Sequence, residues 1–301
     1  MALPIHLEWL RRHPVTRRHP FRTWSRWLYW QVRQRLTRRP KQIPLRNQAR
    51  LWVHPHEGLT GFFYVGLPDY EEMEFLARYL RPDDVFHDIG ANAGGFAVFA
   101  ASFGCRVTAF EPIPRSFSRL AENAALNRPD CRIETCHLAL GRTPGTLRMT
   151  VALGTGNRVV ADDEAGPSIP VEVTTLDEFV RTRPRPTFLK LDVEGHELEV
   201  LLGAREVLAA PSLQGLLVET FRSHNWHLPK LRQIEDLLES HGFLPYAYDH
   251  GRNDIVPLVK PDEGDDNTFY FRDPEQVRAR LGGAREEAGE TAREDARGAT
   301  A

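Results

Sequence analysis

The sequence predicts a doubly wound α/β fold with a mostly parallel sheet, and three observations lead to this prediction. Apolar residues make up 41% of the 301 residues, which is enough to bury one large core. Between residues 51 and 273, strand-like runs alternate with helix-like runs, the pattern of parallel βαβ units. Glycines and carboxylates follow several of the strand-like runs, and ligands of such sheets bind beyond the carboxyl ends of the strands.

The individual elements follow from local periodicity. Residues 51–66 read as a short β-rich stretch, and a helix follows over 69–80 with Asp69 as its N-cap. The last two predicted strands form an antiparallel pair. The remaining strands are expected at 84–89, 105–112, 132–140, 145–153, 169–176, 187–194, 213–221, 245–250 and 267–273, and the remaining helices at 94–103, 114–126, 196–209 and 228–243.

Two terminal segments differ in composition from this α/β domain, which spans 51–273. Residues 1–50 carry thirteen arginine or lysine residues and one acid, Glu8, although the whole chain has a net charge of −2. Their arginines alternate with aromatic residues and predict a basic helical extension. Residues 274–301 contain almost no large apolar residues, which indicates a short helix and then a disordered tail.

The basic extension allows three interpretations. Phe21, Trp24, Leu28, Val32 and Arg35 fall close to one helical face. Such a helix can pack on the α/β domain and cover a substrate pocket. Alternatively it can bind an anionic membrane surface or a lipid-linked substrate, or, least favoured, nucleic acid.

The three cysteines (Cys105, Cys131 and Cys136) lie in apolar, strand-like segments, so we expect buried thiols and no disulfide framework. The first residues lack the unbroken apolar core of a signal peptide, and no run reaches the ~18 apolar residues of a membrane-spanning helix. We therefore expect a cytoplasmic protein, with peripheral membrane contact as the alternative that the basic extension permits.

The strongest local signal is the turn Asp88-Ile89-Gly90-Ala91-Asn92-Ala93-Gly94 after the strand at 84–89. Its glycines allow a sharp turn and close approach of a ligand. Asp88 suits a cationic ligand such as S-adenosylmethionine and would repel the pyrophosphate of NAD. The spacing of Gly90, Gly94 and Gly95 also departs from the dinucleotide fingerprint.

Glu111 ends the next strand, where a carboxylate can accept hydrogen bonds from both ribose hydroxyls. Each feature alone has a structural explanation, since Gly90 and Gly94 could form an ordinary turn and Glu111 could be a solvated or helix-capping acid. Together, Asp88, Gly90, Gly94 and Glu111 predict a nucleotide-type site that binds S-adenosylmethionine.

These segments resemble the FkbM family of class I methyltransferases over about residues 66–221. The matching stretches are FHDIGANAG (86–94), AFEP (109–112), Asn123, Asn127, TTLD (174–177) and LKLDVEGHE (189–197). The resemblance implies a seven-stranded sheet, S-adenosylmethionine as cofactor, and O-methylation of sugars or natural products. Asn92 stands where the broader methyltransferase motif has a second glycine, but asparagine tolerates the left-handed conformation, so the turn can persist and Asn92 belongs to the expected cofactor site.

LKLDVEGHE supplies the candidate residues for the acceptor. Lys190 and Asp192 share one face of a strand, so we expect them to pair, with Asp192 orienting or deprotonating an acceptor hydroxyl and Lys190 tuning its charge. The alternative is a salt bridge that only locks the strand end. His196 could act as the base or could simply begin a helix. Glu194 lies between these residues, and Glu219 ends the following strand.

Asp192 and Glu219 could hold Mg²⁺, although we favour a solvent-lined acidic rim. His224 and His227 are expected on a loop at the surface or acceptor pocket. The sequence lacks the prolines and aromatic residue that amine methylases carry after the fourth strand, so a hydroxyl of a sugar, glycolipid or natural product is the expected acceptor. The alternative is a non-catalytic protein that binds membrane or nucleic acid through its basic helix and keeps a vestigial nucleotide site.

Overall fold

A computed structural model describes residues 5–55, 57–127, 131–151, 154–160, 166–220, 228–258 and 266–283. Helices in chain order are α1 (Ile5–Arg12), α2 (Pro14–Arg18), α3 (Pro20–Leu36), α4 (Thr60–Val65), α5 (Tyr70–Tyr79), α6 (Gly95–Ala101), α7 (Pro114–Leu126), α8 (Leu176–Phe179), α9 (Glu197–Leu202), α10 (Arg205–Ala209) and α11 (Leu228–Ser240). Strands are β1 (Lys41–Pro44), β2 (Arg50–Val53), β3 (Val85–Ile89), β4 (Arg106–Phe110), β5 (Arg132–Cys136), β6 (Ala139–Leu140), β7 (Gly145–Thr150), β8 (Ser168–Thr174), β9 (Phe188–Leu191), β10 (Gly215–Glu219), β11 (Leu244–Asp249), β12 (Asp254–Pro257) and β13 (Asn267–Phe271).

The central sheet has eight described strands in the order β12-β11-β13-β10-β9-β3-β4-β5. Strands β10, β9, β3, β4 and β5 run parallel, and β13 lies antiparallel between β10 and β11. This confirms the doubly wound, mostly parallel class and the antiparallel pair near the C-terminus. The sheet has one strand more than the seven expected, because Asp254–Pro257 folds back on β11 as an edge strand.

Each face of the sheet carries its own apolar core. Phe86 and Phe188 pack with α5 and α6, whereas Ile89 and Leu191 pack with α8 to α11. Because side chains alternate along a strand, Asp88 and Lys190 lie on the same face as the two phenylalanines. They are also direct neighbours in the parallel ladder between β3 and β9. A carboxylate and an ammonium group therefore end an otherwise apolar face.

The chain reverses direction across the sheet at β3. It leaves β3 towards β4 and β5, and it returns to β9 on the other side of β3. A crevice opens beyond the carboxyl ends of strands at such a reversal. The Asp88–Gly94 turn, Glu111 and Asp192 all follow strands that end at this edge.

The basic extension packs on the α/β domain. Leu10 and Trp30 are buried, and the Trp30 ring lies 5.1 Å from the ring of Phe63. The Nε2 atom of His13 lies 3.0 Å from the carbonyl oxygen of Leu67. The structure thus shows the packing that we considered for this segment. None of the described helices has the length and apolar character needed to cross a membrane.

Three predicted elements differ in the structure. Residues 51–66 form β2 and then helix α4, because Leu59, Phe62 and Val65 recur at helical spacing and are buried. The expected strand at 132–140 divides between the central sheet (β5) and a three-stranded sheet of order β6-β8-β7. The expected helix at 196–209 breaks at Gly203, where the Gly141 carbonyl packs in the place of a Cβ.

At the C-terminal end, residues 274–283 are helical, as predicted, and Val277 and Leu281 are buried in the core. The expected disordered tail lies outside the described residues. The same holds for the predicted surface histidines, His224 and His227.

Candidate active site

The turn after β3 contains three left-handed residues, Gly90 (φ 83°), Asn92 (φ 48°) and Gly94 (φ 87°). The expectation that Asn92 accepts this conformation is therefore confirmed. A Cβ on Gly90 would overlap with the carbonyl oxygen of Asp192, and a Cβ on Gly94 would lie 2.8 Å from the Leu120 side chain. Packing against the backbone therefore requires glycine at position 90, a reason that the sequence did not reveal, whereas the left-handed backbone favours glycine at position 94.

Glu111 is buried and holds this turn in place. Its carboxylate accepts hydrogen bonds from the backbone N–H groups of Asn92 (2.9 Å) and Ile113 (2.8 Å). Burial raises the pKa of Glu111 to about 7, although these two N–H groups favour its ionised form. Each carboxylate oxygen retains a second lone pair that can accept a bond from a ligand hydroxyl.

Lys190 lies between two carboxylates. Its Nζ donates to Oδ2 of Asp192 at 2.9 Å and lies 3.8 Å from Oδ1 of Asp88. It also lies 4.6 Å from the centre of the Phe96 ring. Burial lowers the pKa of Lys190, but attraction to Asp192 and Asp88 outweighs this and raises it overall. The predicted pairing of Lys190 with Asp192 is confirmed, and Lys190 stays charged.

Asp88 is fully buried, and neither of its carboxylate oxygens has a hydrogen-bond partner among the described residues. Burial raises the pKa of Asp88 to about 6, while Lys190 lowers it in part. The ion pair with Lys190 offsets only part of the hydration that an ionised Asp88 loses, because its oxygens make no hydrogen bond of normal length with the described residues. Donors from a bound cation would supply such bonds.

These groups surround a cavity of about 430 Å³ at the edge of the sheet, which we call the switch-point cavity. It brings together six of the eight residues predicted for the site. Gly94 is excluded because it packs on Leu120 behind the turn. The predicted residues that line the cavity are Asp88, Gly90, Asn92, Glu111, Lys190 and Asp192.

His196 is the other predicted residue that lies elsewhere. It stands at the N-terminal end of α9 and lines a small apolar pocket with Leu138 and Leu140. Burial lowers the pKa of His196. His196 is not among the described residues that line the switch-point cavity, so we do not retain it as the base.

Asp69 and Trp9 belong to the cavity wall, although the sequence reasoning did not place them in the site. Asp69 occupies the N-cap position of α5, as predicted, but its side chain makes no capping hydrogen bond. Instead it lines the cavity with Trp9 of α1. Burial raises the pKa of Asp69 to about 6, with Lys190 lowering it and Asp192 raising it. An acid before a helix resembles a cap in sequence, so no local signal separated the two roles.

Asp192, Glu194 and Glu219 form an acidic group beside the cavity, as expected for the ends of neighbouring strands. One carboxylate oxygen of each lies within 4.8 Å of the others, so they could ligate a metal ion. Burial, followed by repulsion from Asp192 and Glu194, raises the pKa of Glu219 to about 10. A proton on Glu219 therefore reduces the repulsion among the three carboxylates, as a bound cation would.

A nearby acid, Glu197, organises the backbone at this end of β9. Its Oε1 accepts hydrogen bonds from the N–H groups of Val193 (3.0 Å) and Gly195 (3.1 Å). Glu194, between them, adopts a left-handed conformation with φ of 54°. Glu197 thereby maintains the turn that follows Asp192.

A second cavity of about 640 Å³ adjoins the first and shares residues such as Asn92 and Ile113 with it. Helix α3 contributes Trp30 and Gln34 to its wall. The basic extension therefore forms part of both cavities. This space lies where an acceptor could reach the switch-point cavity.

Asn123 and Asn127 have structural roles. Their side-chain oxygens accept hydrogen bonds from the N–H groups of Trp52 (2.7 Å) and Arg50 (2.8 Å). They thereby attach β2 to α7. Thr175 and Asp177 likewise cap the short helices α8 and α10.

A doubly wound sheet with an acid-lined glycine turn at its reversal point defines a nucleotide-binding type of α/β protein. A family model described as the methyltransferase FkbM domain matches residues 88–245, which is more than half of the chain. The matched residues include Asp88, Glu111, Lys190 and Asp192 of the switch-point cavity. The chain belongs to this family.

Individual relatives extend the comparison. The hexuronic acid methyltransferase AglP of Haloferax volcanii is 32% identical over 138 residues, covering 45% of this chain and 56% of that protein. The 31-O-demethyl-FK506 methyltransferase FkbM of Streptomyces tacrolimicus is 29% identical over 203 residues, covering 56% of this chain and 75% of that protein. The match thus spans little more than half the length of the Haloferax protein.

Among solved structures, the methyltransferase FkbM from Methylobacillus flagellatus KT aligns with a TM-score of 0.45 and 18% identity. That alignment covers 71% of this chain and 52% of the other.

Proposed function

We propose that the protein transfers the methyl group of S-adenosylmethionine to a hydroxyl group of a sugar, glycolipid or natural product. The observation that carries this proposal is the switch-point cavity, where buried Asp88, ion-paired with Lys190, and turn-bound Glu111 flank a left-handed turn in a chain of the FkbM family. The ammonium group of the cofactor would donate to Asp88. The ribose hydroxyls would donate to the free lone pairs of Glu111.

The electrostatics support a cationic ligand. Asp69, Asp88, Glu111, Asp192 and Glu194 line the cavity, and Lys190 is the one basic residue among its described lining groups. A field of this sign favours a sulfonium ion and an ammonium group and disfavours a pyrophosphate. Bound S-adenosylmethionine would supply an electrophilic methyl group and leave as the neutral thioether.

The acceptor hydroxyl must lose a proton as its oxygen bonds to the methyl carbon. Asp192 lines the cavity, and 38% of its side chain is exposed, so it can accept a hydrogen bond from the acceptor and pass the proton to solvent. Lys190 holds the Asp192 carboxylate through a 2.9 Å hydrogen bond. Asp192 is thus our candidate for the group that orients and deprotonates the acceptor.

A vestigial site is the competing interpretation. Asp88 and Glu111 are buried, and the raised pKa values of both show that their ionised forms are destabilised in the free protein. Unfavourable buried charges concentrate at functional sites, because a ligand offsets their cost. We therefore favour a working cofactor site.

Calorimetry with S-adenosylmethionine, S-adenosylhomocysteine and NAD tests the cofactor assignment. We expect binding of the first two ligands and none of NAD. Asp88→Asn and Glu111→Gln should each weaken binding at least tenfold, because each removes a charged hydrogen-bond acceptor worth about 1.5–3 kcal/mol. Asp84→Asn is the matched control, since Asp84 is a buried acid that pairs with Arg280 outside the cavity.

The acceptor is then sought by following formation of S-adenosylhomocysteine with a panel of hydroxylated glycans, glycolipids and macrolides. A hexuronic-acid glycan belongs in the panel because of the similarity to AglP. Absence of S-adenosylmethionine binding to a folded protein would refute the proposal.

A further inference from the structure

Helix α3 has an apolar stripe that faces solvent. The stripe, which we call the α3 outer face, consists of Phe21, Leu28, Val32 and Leu36, with exposed fractions of 91%, 58%, 48% and 77%. At about 100° per residue these four positions fall within about 80° of one another around the helix. Five of the nine large apolar side chains that are exposed in the described part of the chain lie on α3.

The opposite side of the same helix is committed to the fold. Trp30 lies about 180° from Phe21 around the helix and is 1% exposed, and Thr23 beside it is also 1% exposed. Trp30 and Gln34 line the second cavity. The α3 outer face is therefore held outward by the packing of the helix and cannot turn inward.

Positive charge surrounds this face. Around the helix axis, Arg22 lies about 100° to one side of Phe21, and Arg35 lies about 40° to the other side. Residues 9–56 contain no acidic residue. Within the described ranges, the exposed arginines on α3 and directly after it make no ion pair with a carboxylate; they are Arg22, Arg35, Arg38 and Arg39.

We propose that the α3 outer face docks on an anionic lipid surface, with Phe21, Leu28, Val32 and Leu36 inserted among the acyl chains and the arginines at the headgroups. A helix that combines an aliphatic stripe with flanking arginines fits the interface of a bilayer. A second copy of the chain fits less well, because a two-fold contact through this face would bring the arginines of both copies together. Nucleic acid fits less well too, since Leu28, Val32 and Leu36 offer neither charge nor a ring for stacking.

Docking in this orientation has a consequence for the second cavity. The α3 helix has a diameter of about 10 Å, so the cavity behind Trp30 and Gln34 would lie about one helix diameter from the headgroups. A membrane-held molecule could then reach the cavity from the lipid side. The docking itself does not depend on methyl transfer and can be tested without it.

The test is co-sedimentation of the full chain with phosphatidylcholine vesicles that contain or lack about 30% phosphatidylglycerol. We expect binding to the anionic vesicles only, weakening as salt rises from about 0.05 M to about 0.5 M. Phe21→Gln combined with Leu28→Gln should weaken binding at least tenfold at every salt concentration. Arg22→Gln combined with Arg35→Gln should weaken it at least tenfold at low salt and much less at high salt.

Leu244→Gln is the matched control, because Leu244 on β11 is 47% exposed and lies outside the α3 outer face. It should bind vesicles as the wild type does. Circular dichroism should show unchanged folding in every variant, since only exposed side chains are replaced. Calorimetric affinity for S-adenosylmethionine should also stay within about twofold of the wild type.

Three outcomes would overturn the proposal. The first is failure of the wild type to bind anionic vesicles at low salt. The second is vesicle binding that the Phe21→Gln and Leu28→Gln pair leaves unchanged, with duplex DNA or transfer RNA competing fully, which would assign the arginines to nucleic acid. The third is a dimer, seen by light scattering, that this pair dissociates and that does not bind vesicles.

Discussion

Replacing Lys190 by methionine tests whether the buried ammonium group keeps Asp88 ionised. The variant preserves most of the side-chain volume but leaves Asp88 without its nearest positive charge, 3.8 Å away. The attraction between two unit charges at that distance is about 4 kcal/mol at an effective dielectric constant of about 20. This value is the largest loss in the free energy of unfolding that the Asp88 pair can cause, because protonation of Asp88 offers an alternative to a buried unpaired charge.

The pH dependence follows from the direction of the shift. Burial raises the pKa of Asp88 to about 6 from 3.8, so its ionisation destabilises the folded state, and in the wild type this penalty stops growing above about pH 6. Without Lys190 the pKa of Asp88 in the folded protein is higher, so the cost of ionising Asp88 continues to grow as the pH rises above about 6. The ionisation of Asp88 should therefore cause little difference in the free energy of unfolding between the variant and the wild type at about pH 6. Above that pH the difference should increase by about 1.4 kcal/mol per pH unit.

Urea unfolding followed by circular dichroism between about pH 5.5 and about pH 8 measures this slope. Asp88→Asn combined with Lys190→Met should make it shallower, because Asp88 no longer titrates while Asp69, whose pKa Lys190 also lowers, still does. Arg185→Met is the matched control, since Arg185 and its partner Glu206 are both exposed, and it should change stability by less than about 0.5 kcal/mol at every pH. A loss that is independent of pH, or a slope that is equally steep in the Asp88→Asn background, would refute the reasoning.

Three further predictions concern the same cavity. Asp192→Asn should lower methyl transfer at least tenfold and leave cofactor affinity within about twofold, measured by turnover and calorimetry; undiminished turnover would leave Asp192 a structural residue. Affinity for S-adenosylmethionine should fall as pH drops from about 8 to about 5, because protons compete for Asp88 and Glu111, whose pKa values are raised to about 6 and about 7. Asp88→Asn should make that curve shallower and leave the part due to Glu111, and an affinity unaffected by pH in the wild type would contradict the assignment. Gly90→Ala should lower the free energy of unfolding by about 3 kcal/mol or more, against less than about 0.5 kcal/mol for Gly166→Ala, which has no neighbour within 4 Å, and similar urea midpoints would count against the packing argument.

The central sheet could be predicted because its parallel strands are short apolar runs that end in distinctive residues. Helix α7, for example, was expected over 114–126 and occupies those residues. The sequence also placed Asp88, Glu111 and Asp192 at one edge, because parallel strands share a carboxyl end. The edge strand β12 escaped notice, since Asp254–Pro257 contains one buried residue and has no alternation to identify it.

The details of the site depended on contacts between distant residues. The need for glycine at position 90 comes from the carbonyl of Asp192, about a hundred residues later in the chain, and no local pattern records that contact. Asp69 reached the cavity wall for the same reason, because the position of α5 relative to β9 is set by packing. His196 was a candidate base because of its place in the motif, but it lines the small apolar pocket with Leu138 and Leu140.

The basic extension shows that helical periodicity alone does not determine which face of a helix is buried. The pattern correctly grouped Phe21, Leu28 and Val32 on one face, but helical spacing alone cannot tell an inner face from an outer one when both carry large apolar residues. The structure buries Trp30 and exposes Phe21, since Trp30 finds the Phe63 ring whereas Phe21 finds no comparable partner among the described residues. Packing on the domain and binding to a lipid surface are therefore compatible interpretations, because they use opposite sides of one helix.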